Sequence, residues 1–215
     1  MTANHLKNDA VLSSIVNELK TVHNCHTIIL YGSRARGDFN QNSDYDVIGI
    51  AKICKKQHLA QYDQRFHIYK DIFVVPDSEF DEINDEYLRL SDGICLWDSK
   101  EFGKSLLTKI NIMLRKPFVL DDDEINTRRA WYGKMLNRAK VQDVEGKYRS
   151  IWIVHTLLED YFAFRNMHYL GPKKGIKYLQ DNDPDTFMLF DNILNDCNNL
   201  QVLNNAINHI INNHQ

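Results

Sequence analysis

Asp44 and Asp46 stand two residues apart at the head of an apolar run, Val47-Ile48-Gly49-Ile50-Ala51, and Gly32-Ser33 closes an earlier one, Thr27-Ile28-Ile29-Leu30-Tyr31. Side chains at i and i+2 of a strand share a face, so the two carboxylates point the same way. Two hard anionic oxygens on one face suit Mg²⁺, which keeps several waters and favours one or two carboxylates plus substrate phosphates. Gly32 lets the backbone come close to a phosphate, and the Ser33 hydroxyl with the amides that follow, Arg34 among them, can donate to it if a helix starts there. Each fragment alone is ordinary, a turn or a strand entrance. With ten residues between Ser33 and Asp44, the pair forms an arrangement for holding a metal-bound nucleoside triphosphate.

Gly32-Ser33, ten residues and Asp44-Tyr45-Asp46, flanked by Leu30-Tyr31 and by Arg34-Ala35-Arg36-Gly37, resemble the signature of the DNA polymerase β-type nucleotidyltransferases, in particular the small bacterial members. The resemblance covers about the first hundred residues. It implies a mixed β-sheet flanked by helices and two divalent metals held by the aspartate pair and a third carboxylate from a later strand. The implied reaction moves a nucleoside monophosphate, here AMP from ATP or its counterpart from another NTP, onto a hydroxyl and releases pyrophosphate.

The third carboxylate is expected in Phe66-His67-Ile68-Tyr69-Lys70-Asp71-Ile72-Phe73-Val74-Val75-Pro76, a β-branched and aromatic run that ends at a proline. Asp71 is the one acid inside it, and a lone carboxylate in so apolar a run is costly unless paired or bound to metal. Asp77, just past Pro76, is the fallback. Two metals would clamp the attacking and leaving oxygens of an in-line displacement, leaving the protein to position and neutralise. Ser33 is therefore assigned to phosphate binding, not to covalent catalysis.

The elements that must position these groups follow from periodicity. A helix is expected around Leu6 to His23, then the strands named, a helix from Ser78 to Leu90, a short strand Gly93 to Trp97 and a helix from Lys100 to Arg115. Near Lys116-Pro117 the pattern turns helical and stays so. The expected organisation is α+β: a nucleotidyltransferase domain over residues 1–116 and a helical acceptor-binding domain over 117–215. Asp121 to Glu124 reads as an acidic helix start, complementing the helix dipole. Further helices are expected at Ile125 to Val141, Lys147 to Met167, Lys173 to Gln180, Pro184 to Asn195 and Leu200 to Ile211. In the last, Leu203, Ile207, Ile210 and Ile211 form a stripe that suits a homodimer as well as a core.

In the helical half, Asp143-Val144-Glu145-Gly146-Lys147-Tyr148-Arg149 resembles a short motif of the kanamycin nucleotidyltransferases. That resemblance implies Asp143 as general base on the acceptor hydroxyl and Lys147 on the nucleotide phosphates, with Glu145 competing for the base. The acceptor is then a small-molecule hydroxyl, as on an aminoglycoside or lincosamide. The alternative is a partner-protein hydroxyl, modified by an antitoxin-type AMPylating enzyme. An acid-lined cleft would fit the cationic small molecule, an exposed apolar patch the protein.

Composition is ordinary for a globular enzyme: 215 residues, 43% hydrophobic, 26% charged. A net charge of −3 argues against general nucleic-acid binding. The scattered Cys25, Cys54, Cys95 and Cys197 read as thiols of a reducing compartment, and neither a signal peptide nor a membrane-spanning run is evident, so a cytoplasmic location is expected.

Overall fold

The structure, a computed structural model, describes residues 8–212; Leu6 and Lys7, where the first helix was expected to begin, lie outside them. The chain divides between Lys116 and Pro117 into two compact units, and the fold is α+β.

In the first unit, strands β1 (Thr27–Tyr31), β2 (Tyr45–Ala51), β3 (Gln57–Asp63), β4 (Ile68–Pro76) and β5 (Ile94–Asp98) form one mixed sheet in the order β3-β4-β2-β1-β5. β2 and β4 run parallel, and every other neighbouring pair is antiparallel. Helix α1 (Ala10–Thr21) packs Val11, Leu12, Ile15 and Leu19 against Ile28, Leu30, Val47 and Val74. Its N-cap is Asp9, whose carboxylate accepts from Leu12 N at 2.9 Å, satisfying a donor the first turn leaves open. Helix α2 (Gly32–Arg36) is one short turn after β1, and α3 (Phe102–Leu114) follows β5, burying Leu106 and Ile110.

The long helix expected from Ser78 to Leu90 does not form. Two short 3₁₀ turns, Asp77–Phe80 and Asp85–Leu90, take its place, with Asn84 extended between them. An α-helix here would set Glu79 against Glu82, Asp81 against Asp85 and Glu82 against Glu86, like charges at i,i+3 and i,i+4. Strand β3 was not anticipated. Its sequence Gln-His-Leu-Ala-Gln-Tyr-Asp is mostly exposed, as an edge strand allows, so it carries no apolar run.

The second unit is helical: α4 (Asp122–Ala139), α5 (Val144–Ala163), α6 (Pro172–Asn182), α7 (Pro184–Asn195) and α8 (Leu200–Asn212). Asp121 opens α4 with a capping box to Glu124, the role its acidic start implied. The stripe Leu203, Ile207, Ile210 and Ile211 is buried among Ile153, Leu157, Phe190 and Ile193, so it serves this unit's own core. Among the described residues no helix is long and apolar enough to cross a membrane.

Asp160 of α5 is 1% exposed, ion-paired with Arg128 and hydrogen-bonded by Tyr132, whose hydroxyl donates at 2.7 Å. Removing one member of a buried pair leaves the other uncompensated. Asp160→Ala should therefore destabilise the helical unit by about 3 kcal/mol, measurable by denaturant unfolding followed by circular dichroism.

Candidate active site

Strand register assembles the site. Asp46 of β2 lies opposite Asp71 of β4 in the parallel pairing, and Tyr31 of β1 lies opposite Asp46 in the antiparallel one. Tyr31, Asp46 and Asp71 thus form a row across three adjacent strands. Asp44, two residues before Asp46, belongs to the same side. Tyr45 between them turns to the other face, where it is buried; its hydroxyl donates to Asp9 at 2.6 Å. This anchor under α1 fixes which way the two carboxylates look.

Gly32 sits at φ 72°, in the left-handed region, and a Cβ built there would come 2.1 Å from Asp46 Oδ2. Only glycine lets the turn after β1 pass this close to the carboxylate. Ser33 follows in the first turn of α2, half-buried. Arg34 is committed elsewhere: it is buried, its Nε donates to the Ser43 and Asp44 carbonyls at 3.0 Å each, and its guanidinium lies 3.8 Å over the Tyr45 ring. It holds the loop that delivers Asp44.

Asp46 is pushed up to about 6, first by burial and then by the charges of Asp44 and Asp71, with Arg89 and Arg36 pulling the other way. Arg89, on the second 3₁₀ turn, lies over the rings of Tyr31 and Phe73. Its Nε and the Tyr31 hydroxyl are buried and have no hydrogen-bond partner among the described residues. Arg36 reaches Asp92 at 3.1 Å. Asp71 is hydrogen-bonded by His58 Nε2 of β3, whose ring stacks on Phe73.

This donor set fits a divalent cation: three hard carboxylates on one side, one of them raised in pKa by burial and then by its like-charged neighbours, and a glycine cradle beside it. Among the described residues no three His, Cys, Asp or Glu side chains are already drawn together as a metal cluster. Asp71 Oδ1 is turned to His58. Asp77 lies past the other end of β4, 3.5 Å from Lys52 and 3.7 Å from His26, away from Asp44 and Asp46.

In the helical unit, Asp143 is the N-cap of α5. Its carboxylate accepts from Gly146 N at 2.7 Å and from both terminal nitrogens of Arg138, which hold its pKa below the usual range. Glu145 pairs with Arg138 and Arg149. Lys147 is exposed in the first turn. His58 and Arg89 were missed at the level of sequence: one lies on an unrecognised strand, the other in an acidic stretch with no motif.

Residues 13–95 match the family described as polymerase beta, nucleotidyltransferase. They form a polymerase β-type nucleotidyltransferase domain. The match runs from within α1 to β5 and so includes Gly32, Asp44, Asp46 and Asp71. Among solved structures, a nucleotidyltransferase-like protein from Exiguobacterium sibiricum 255-15 is similar at 11% identity and a TM-score of 0.43, over 93% of this chain and 73% of that one. No curated protein matches the sequence.

Two outcomes are expected of the nucleotidyltransferase domain. Gly32→Ala must push Asp46 aside, and should lower the rate of nucleotide turnover at least tenfold while leaving far-ultraviolet circular dichroism unchanged. Asp46 has a folded pKa of about 6, above its ordinary 3.8. Ionised Asp46 therefore opposes folding above pH about 6, and protonation relieves this as pH falls through that value. Asp46→Asn should raise the melting temperature of the metal-free protein at pH 7.5 by about 2–4 °C, the shift that about 1 kcal/mol gives in a chain this long. That gain should fade between pH 6 and 4, as scanning calorimetry across the range would show.

Proposed function

We propose that the chain is a Mg²⁺-dependent nucleotidyltransferase that moves a nucleoside monophosphate, AMP from ATP, to a hydroxyl of a small molecule such as an aminoglycoside or lincosamide. The observation that carries the donor half is the row Asp46–Asp71 with Asp44 on the same side, inside a segment that matches a nucleotidyltransferase family. Asp44, Asp46 and Asp71 would hold two Mg²⁺ ions, with Gly32 and Ser33 against the triphosphate. When bound, the ions lower the pKa of the attacking hydroxyl and neutralise charge on the departing pyrophosphate.

The remaining roles fall to side chains. Arg36 and Arg89 oppose the Asp46 charge, and in this proposal their positive charge also offsets that of the phosphates. Arg34 we assign to the Asp44 loop and not to phosphate, since its Nε and Nη2 donate to the Ser43 and Asp44 carbonyls. Lys147 remains the proposed phosphate lysine of the helical unit. Asp143, held by Arg138 and the α5 cap, is a weak base, and in this proposal it orders the start of that helix. The exposed carboxylate of Asp44 favours a cationic acceptor. A cytoplasmic role in antibiotic resistance would follow.

One observation favours a protein acceptor. Val144, Tyr148, Ile151 and Trp152 are 87%, 63%, 56% and 42% exposed at helical spacing along α5. An apolar stripe of this kind is a usual sign of a binding partner. A modifying enzyme of the antitoxin class would use it to seat its target.

Both readings are tested by incubating the protein with Mg²⁺, each of the four α-³²P-labelled NTPs, and either aminoglycoside and lincosamide panels or cell lysate. Label on a small molecule supports the first reading, and label on a protein band supports the second. Asp44→Ala should abolish transfer, at least a hundredfold. Pyrophosphate release that survives that substitution would contradict both.

A further inference from the structure

We propose that His58 is the positioning residue of the third carboxylate: it binds one oxygen of Asp71 and so presents the other to the metal. This rests on reading Asp71 as a metal ligand. The arrangement is built into the sheet. In the antiparallel pairing of β3 with β4, His58 lies opposite Phe73 and Ala60 lies opposite Asp71. Opposed residues share a face and diagonal neighbours lie within reach of a long side chain, so His58 covers Phe73 and reaches Asp71 two residues away.

Phe73 fixes the ring. Its plane stacks on the imidazole at a centroid distance of 4.2 Å with 5° between planes, while Arg89 lies 4.6 Å over the same ring. A stacked imidazole keeps one orientation, and Nε2 then donates to Asp71 Oδ1. In this proposal Asp71 Oδ2 is the oxygen left for the metal, on the sheet face that Asp71 shares with Asp46.

The pair does little for folding. The two side chains are 53% and 34% exposed, so water would solvate either partner, and exposed pairs contribute little stability. Its value lies in orientation. Among three mutually repelling carboxylates, a free Asp71 would rotate away from Asp46, and the hydrogen bond removes that freedom. Groups that orient a metal ligand in this way typically change metal affinity by roughly tenfold to a hundredfold when lost.

The test is a Mn²⁺ titration of the intact protein read by electron paramagnetic resonance, without nucleotide and without turnover. His58→Phe keeps the stack on Phe73 and removes the donor, and should weaken Mn²⁺ binding roughly tenfold or more. His58→Gln keeps a donor at similar reach and should recover most of that loss. Both variants should melt within about 1 °C of the wild type, since the pair is exposed. Wild-type or tighter affinity in His58→Phe, with Asp46→Ala still losing Mn²⁺, would overturn the role of His58 alone. If wild type and Asp46→Ala bind Mn²⁺ alike, the metal reading of the site falls, and this inference falls with it.

Discussion

Parallel pairing of β2 with β4 sets Asp46 and Asp71 side by side, and a single-residue slip would turn one of them to the opposite face. Everything about the candidate site depends on this register. Asp46 is part-buried beside two other carboxylates, and its rise to about 6 reflects that burial first and the like charges of Asp44 and Asp71 second. A fold maintains such a row only where buried apolar contacts override that cost. Here Val47, Ile72 and Val74 on the reverse face, packed on α1, hold the two strands in place.

The groups around the row all moderate or direct its charge. Arg36 and Arg89 offset Asp46, His58 engages Asp71, and Gly32 leaves the space that any other residue would fill. Tyr45 and Arg34 work from the back, one anchoring the strand to Asp9, the other tying down the Ser43 and Asp44 carbonyls. The sheet thus carries its charge at one end and its apolar packing behind it. In the helical unit the charges are spent locally, on the Asp121 and Asp143 caps and on the Asp160 pair.

How much of this was legible in the sequence depends on how each signal is encoded. Asp44, Asp46 and Gly32-Ser33 were visible because the chemistry fixes both residue type and spacing. Asp71 was visible because one acid in an apolar strand is expensive. β3 and its His58 were not, since an exposed edge strand shows no hydrophobic pattern. Arg89 was hidden because its segment reads as a helix until the repulsion among Glu79, Asp81, Glu82, Asp85 and Glu86 is counted. The roles of Arg34 and Asp143 depend on partners their neighbours in sequence do not announce: the carbonyls after the loop, and Arg138 from the preceding helix.

In the proposed function the row of carboxylates binds a nucleoside triphosphate through divalent metal. Calorimetric titration with a non-cleavable α,β-methylene triphosphate tests it most directly, in Mg²⁺ and again in chelator. Saturable binding in Mg²⁺ that is lost in chelator is the expected result. Equal binding under both conditions would contradict it.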